Sequence, residues 1–270
     1  MRVDEHTIEL AGSPIYYRSA PASGVQPFYL HGVPTSSDDW TGFLARTGGL
    51  APDLIGFGRS GKAGNLDYSI DGLTDFLESL LAALEVGRVQ LVAHDWGAAV
   101  GLAFAQRHPD RVKRLVLLNA VPLLDGFRWH RLARIWRTPL LGELVMGSTS
   151  RRLLARSLRE GTTDPSVWTD ERIAAVYKQF DQGTQRAILR LYRSAGEQQL
   201  ARAGAELGRL TMPALVVWGA RDPWLAPQFG ERYANALPDA TLERVPDGGH
   251  WPWLEQPDMI ERVASFLGMT

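Results

Sequence analysis

The chain has 270 residues, 45% of them hydrophobic, with no cysteine and a formal net charge of −1. That length suits one α/β sheet carrying a helical insertion around a sizeable core. The charge balance offers no overall field for nucleic acid or an anionic membrane, and the absence of thiols excludes disulfides, thiolate metal sites and a cysteine nucleophile.

The first ten residues lack a basic stretch followed by an apolar run, so no signal peptide is expected. No run is long and apolar enough to span a bilayer. The expectation is a cytoplasmic protein without nucleic-acid or membrane partners; its oligomeric state is not legible.

In chain order, residues 6–10 and 15–18 read as a hairpin around Ala11-Gly12-Ser13-Pro14. Residues 27–30 form a short buried strand ending at His31-Gly32, and residues 52–55 read as another, broken at Gly56 and Gly58. A helix is predicted over 70–84, with Leu73, Phe76, Leu77, Leu80, Leu81 and Leu84 at helical spacing. A strand over 89–93, a helix over 98–107 and a strand over 114–118 follow. This alternation implies a mostly parallel, doubly wound α/β sheet. From 121 to 209 helical stretches rich in arginine replace the strands, and this segment reads as a helical cap inserted in a core made of 1–120 and 210–270. The arginines there read as a solvated helix face. Alternation resumes with strands over 214–218 and 241–245 and helices over 228–236 and 257–267.

The strand over 89–93 runs into His94-Asp95-Trp96-Gly97. A nucleophile elbow needs small residues two places either side of the nucleophile, and Ala93 and Gly97 supply them. Asp95 stands where serine is usual; an aspartate capping the next helix is the alternative. Asp222 follows the strand over 214–218 and His250 the strand over 241–245, giving the order nucleophile, acid, histidine.

With His31-Gly32-Val33-Pro34-Thr35-Ser36-Ser37, residues 51–60 (APDLIGFGRS) and the Asp95, Asp222 and His250 segments, the chain resembles the α/β-hydrolase branch containing epoxide hydrolases and haloalkane dehalogenases. The resemblance spans the chain except the cap. It implies a hydrolase in which Asp95 attacks an sp³ carbon and forms a covalent ester, which water activated by His250 then hydrolyses. Asp222 would orient the imidazole, and the backbone N–H groups of Val33 and Trp96 would form the oxyanion hole. Asn119 stands where some relatives carry their acid, and an amide cannot serve as one. No cofactor is expected, and no His/Asp/Glu spacing suggests a metal. The partners are a small apolar organic substrate and water.

The leaving group separates two chemistries. Similarity to haloalkane dehalogenases implies Trp96 as one halide donor, but Val33 stands where a second donor, asparagine, is frequent. Trp129, Trp136 and Trp168 are the cap candidates to replace it. Similarity to epoxide hydrolases implies a ring-opening cap tyrosine, which Tyr192-Arg193 matches; a core aromatic is the alternative. Tyr177 is the other cap tyrosine. Trp96, His31 and Tyr192 are expected around the substrate, although a structural hydrogen bond also suits His31. Epoxide hydrolysis to a diol is the expectation, with haloalkane dehalogenation the alternative and a catalytically silent binding protein a third reading.

Overall fold

The computed structural model describes residues 1–269. Its sheet has eight strands, ordered β1-β2-β4-β3-β5-β6-β7-β8. They are β1 (Asp4–Leu10), β2 (Ser13–Ala20), β3 (Gln26–Leu30), β4 (Gly49–Pro52), β5 (Val89–His94), β6 (Val112–Ala120), β7 (Ala214–Gly219) and β8 (Ala240–Val245). β1, β2 and β4 pair antiparallel; every other pairing is parallel. β5 and β7 are buried at every position. That explains their unbroken apolar runs, because a parallel strand covered on both faces has no polar side to alternate with.

Helices α1 (Thr41–Thr47), α2 (Ile70–Ala83) and α3 (Asp95–Arg107) belong to the first half of the chain. The Ser69 side chain caps α2 by accepting from the Gly72 N–H. Buried Leu73, Phe76, Leu77, Leu80 and Leu81 form its inner stripe. α3 is buried from Asp95 to Ala105, and alanine and glycine let it lie close to β3, β5 and β6.

β4 lies earlier than the predicted strand over 52–55. Residues 53–55 leave the sheet but stay buried beneath the site, Leu54 and Ile55 as apolar packing and Asp53 accepting from the Ser37 and Arg59 N–H groups, and the Leu54 N–H donates to His31. α3 likewise starts at Asp95 rather than Ala98. After α10 (Gln228–Ala236), the predicted final helix over 257–267 is α12 (Met259–Phe266), preceded by a short α11 (Pro252–Glu255) that was not expected.

Between β6 and β7 the described residues form helices only: α4 (Arg131–Arg137), α5 (Leu141–Gly147), α6 (Arg151–Glu160), α7 (Asp170–Gln179), α8 (Gln182–Ser194) and α9 (Glu197–Ala203), with short 3₁₀ turns. This insertion is tied down on two sides. On one, Lys62 pairs with Asp181 at 2.7 Å and Arg186 donates to the Lys62 carbonyl at 2.6 Å. On the other, the His250 N–H donates to the Gly161 carbonyl at 2.7 Å, and Thr163 Oγ1 donates to the Asp247 carbonyl at 2.6 Å.

The strand order places the site. After β3 the chain turns to one side to make β4, then returns to the other side of β3 to make β5. The loops leaving adjacent β3 and β5 therefore diverge, opening a crevice at their carboxyl ends. His31–Pro34 follows β3 and Asp95 follows β5.

Candidate active site

Asp95 sits at the strand-to-helix turn with φ +49°, a left-handed conformation costing on the order of 1–3 kcal/mol outside glycine. The turn is crowded. A Cβ on Gly97 would lie 2.4 Å from the His31 carbonyl oxygen, and one on Gly32 would lie 2.5 Å from Asp95 Cβ. Glycine at both positions lets the two loops close around the carboxylate.

The two carboxylate oxygens of Asp95 differ. Oδ2 accepts from the Val33 N–H at 2.9 Å, and the Trp96 N–H also bonds the group. Oδ1 lies 3.9 Å from His250 Nε2, facing it but beyond direct hydrogen-bond distance. Burial pushes the Asp95 carboxyl above its usual range, while the nearby His250 and the two N–H groups oppose that shift.

His250 Nδ1–H donates to Asp222 Oδ2 at 2.7 Å, leaving Nε2 as the acceptor turned toward Asp95. Asp222 Oδ2 also accepts from Asn119 Nδ2 at 2.7 Å, and its Oδ1 accepts from the Trp224 and Leu225 N–H groups at 2.8 and 3.0 Å. Burial alone would lower the His250 pKa; the charge and hydrogen bond of Asp222, with the charges of Asp95 and Asp39, together outweigh it, and the net shift is upward. The arrangement can hold a base facing a buried carboxylate and stabilise that base when it takes a proton.

Asn119 was legible as an absent acid but not as a donor. At the end of β6, with φ +38°, its carbonyl accepts from the Gly219 N–H at 3.0 Å while its amide holds Asp222. Only the pairing of β6 with β7 brings these residues together.

A cavity of about 610 Å³ lies between the sheet and the insertion, walled by Asp95, Val33, Trp129, Tyr192, Trp224 and His250 among others. Tyr192 is buried, its ring 5.0, 4.9 and 5.1 Å from those of Trp96, Trp129 and Trp136. Burial, then the Asp95 charge, push the Tyr192 phenol well above its ordinary value, so it stays protonated. Arg193 turns outward and pairs bidentately with Glu143.

Trp96 is fully buried and does not wall the cavity. Its indole N–H bears on the Tyr192 hydroxyl, outside strict hydrogen-bond geometry, and has no other partner among the described residues. Trp129 Nε1–H is committed to the Ala195 carbonyl at 2.9 Å. Trp168 packs edge-on against Trp251 at 4.9 Å, away from the cavity wall. Trp136 walls the cavity, whereas Tyr177 is exposed.

His31 does not reach the substrate space. Its Nε2 accepts from the Leu54 N–H at 2.9 Å and Nδ1–H donates to the Gly32 carbonyl at 2.8 Å, so both nitrogens are spent holding the loop. Two cavity walls had no signal in the sequence: Trp224, whose ring lies 4.8 Å from that of His250, and His130, whose pKa burial lowers to about 4.

Residues 28–257 match the family model described as the alpha/beta hydrolase fold. The chain is 29% identical to a haloalkane dehalogenase of Mesorhizobium japonicum, covering 96% of this chain and 90% of that one. It is 25% identical to epoxide hydrolase 1 of Caenorhabditis elegans, covering 88% of this chain and 64% of that longer one. The solved haloalkane dehalogenase of Bradyrhizobium elkani superposes with a TM-score of 0.86 at 28% identity, over 99% of this chain and 98% of that one. With an aspartate at the elbow and these relatives, the chain belongs to the α/β-hydrolase family, in the branch of haloalkane dehalogenases and epoxide hydrolases that use an aspartate nucleophile.

Proposed function

We propose that the protein hydrolyses epoxides to diols through an ester of Asp95, with the insertion over 121–209 acting as the cap that encloses the substrate. Asp95 Oδ1 attacks a ring carbon, the C–O bond breaks, and the new alkoxide takes the Tyr192 proton. His250 then removes a proton from water; the hydroxide attacks Asp95 Cγ, and negative charge develops on Oδ2. The N–H groups of Val33 and Trp96 stabilise that charge, each donor being worth roughly 3 kcal/mol. Collapse releases the diol carrying the former Oδ1. The departing alkoxide takes the proton from His250, and the second proton of that water, left on the new Asp95 carboxyl, passes to the Tyr192 phenolate, which restores both the carboxylate and the phenol.

One observation carries the choice of leaving group: beside the Trp96 N–H stands the protonated phenol of Tyr192. A halide wants N–H donors; among the cap tryptophans Trp129 is occupied and Trp168 lies off the cavity wall, which leaves Trp136. An opening epoxide wants a proton, which a phenol gives. Haloalkane dehalogenation is the second reading, favoured by the unpartnered Trp96 N–H and by the dehalogenase relatives. The test offers the purified protein terminal epoxides and terminal bromoalkanes in parallel, measuring diol by chromatography and halide by ion-selective electrode. Diol without halide is expected; halide release without diol overturns the epoxide assignment.

A further inference from the structure

The near-neutral net charge conceals a local asymmetry. Between Arg131 and Glu160 stand seven arginines and two glutamates. Glu143 is paired with Arg193 and Glu160 with Arg156, while Arg131, Arg134 and Arg152 have no carboxylate within ion-pair distance among the described residues. The same stretch carries most of the exposed large apolar side chains. Leu140 is 84% exposed, Leu144 71% and Leu153 53%, with Leu141 beside them.

Part of this stretch also walls the cavity. Arg131 of α4, Val145 and Thr149 at the end of α5, and Leu153 and Arg156 of α6 all border the cavity that reaches Asp95. Next to it, between α6 and α7, an open cleft of about 630 Å³ is lined by Arg151, Arg152, Arg156, Arg159, Glu160 and Asp170 among others, Asp170 lying 3.9 Å from Arg151 and 3.8 Å from Arg159. α6 buries Leu154, Ala155 and Leu158 and presents its arginines and Leu153 outward.

Exposed leucines set in a field of arginines suit a surface with negative charge outside and hydrocarbon just beneath it. We propose that this face seats the protein on an anionic lipid bilayer, the leucines of α5 and α6 entering the acyl boundary and the arginines contacting lipid phosphates. The cavity wall formed by Arg131, Leu153 and Arg156 then lies against the bilayer, and an apolar substrate dissolved there has a short path to Asp95. A second copy of the chain is the less fitting occupant, because a two-fold contact through this face would set arginines against arginines.

The full-length protein is sedimented with vesicles of phosphatidylcholine alone and of phosphatidylcholine mixed with phosphatidylglycerol, at low and high salt. Pelleting only with the phosphatidylglycerol vesicles, reversed by salt, is expected. The double variant Leu140→Gln/Leu144→Gln and, separately, Arg151→Gln/Arg152→Gln should each reduce the bound fraction at least tenfold. All four sites are exposed and none borders the cavity, so turnover of a water-soluble substrate should be retained. Failure to pellet with anionic vesicles at low salt, or equal pelleting of parent and variants, overturns the proposal. A dimer in sedimentation equilibrium that Leu140→Gln/Leu144→Gln dissolves also overturns it, in favour of self-association. Neither readout depends on which electrophile Asp95 attacks.

Discussion

The Val33 N–H holds Asp95 by one oxygen, Oδ2 at 2.9 Å, and leaves Oδ1 facing His250. In the proposed mechanism, the oxygen that attacks and the oxygen that later bears negative charge would thus be assigned before substrate arrives. A single turnover with enzyme in excess in ¹⁸O-water should give product without label, the label appearing instead in the peptide containing Asp95. Labelled product in the first turnover would mean that water attacks the substrate directly.

His250→Ala should form the ester and stop. Intact-protein mass spectrometry after incubation with an epoxide should show a gain equal to the mass of the whole epoxide, mapping to Asp95. A haloalkane would add its alkyl group alone. An unmodified protein with both substrate classes would count against covalent catalysis.

Tyr192→Phe keeps the ring that packs on Trp96, Trp129 and Trp136 and removes the proton. Epoxide opening should slow by about 10²- to 10⁴-fold, the range general acids contribute. Any dehalogenation should change little. Equal loss in both would assign Tyr192 to packing alone.

The proposed base step needs neutral His250; burial lowers its pKa, but the nearby carboxylates, Asp222 foremost, together outweigh burial and hold it above the usual value. Activity should therefore fall as pH drops through that raised pKa. Asp222→Asn should shift this acid limb to lower pH and reduce the maximal rate by roughly 10⁴-fold. The stability link has a definite sign. A histidine whose folded pKa is raised contributes stability that is complete below its unfolded value and lost as pH rises through the folded one. Asp95, also shifted upward, acts in the same direction: its charged form is disfavoured in the fold, so Asp95→Asn should raise the melting temperature near neutral pH. A lower melting temperature for that variant would contradict the burial cost.

Gly97→Ala should be destabilising by about 1–3 kcal/mol, since its Cβ would press on backbone oxygens that cannot move aside freely. Urea unfolding measures this directly, and an unchanged midpoint would show that the turn relaxes.

Much of the fold was legible because parallel strands are continuous apolar runs and the elbow has small residues at fixed offsets. Asp95, Asp222 and His250 follow three different strands, and their order along the chain was enough to associate them. The assignment of residues 52–55 failed because burial under the site mimics burial in a sheet. His31 was placed near substrate because a histidine in a loop beside the nucleophile looks available; its two hydrogen bonds are visible only in three dimensions. Trp129 could not be separated from Trp136 by sequence either, since the distinction is one carbonyl, that of Ala195, reached from α8.

The bond from the His250 N–H to the Gly161 carbonyl has a consequence for how this molecule can change over time. The loop bearing the base leans on the insertion, and a Cβ on Gly249 would lie 2.3 Å from the same carbonyl. The helices over the cavity are therefore not an exchangeable module. A graft that altered the turn at Gly161 would move the imidazole, so new substrate preferences are more accessible through side chains on α4, α6 and α8 than through replacement of the segment as a block.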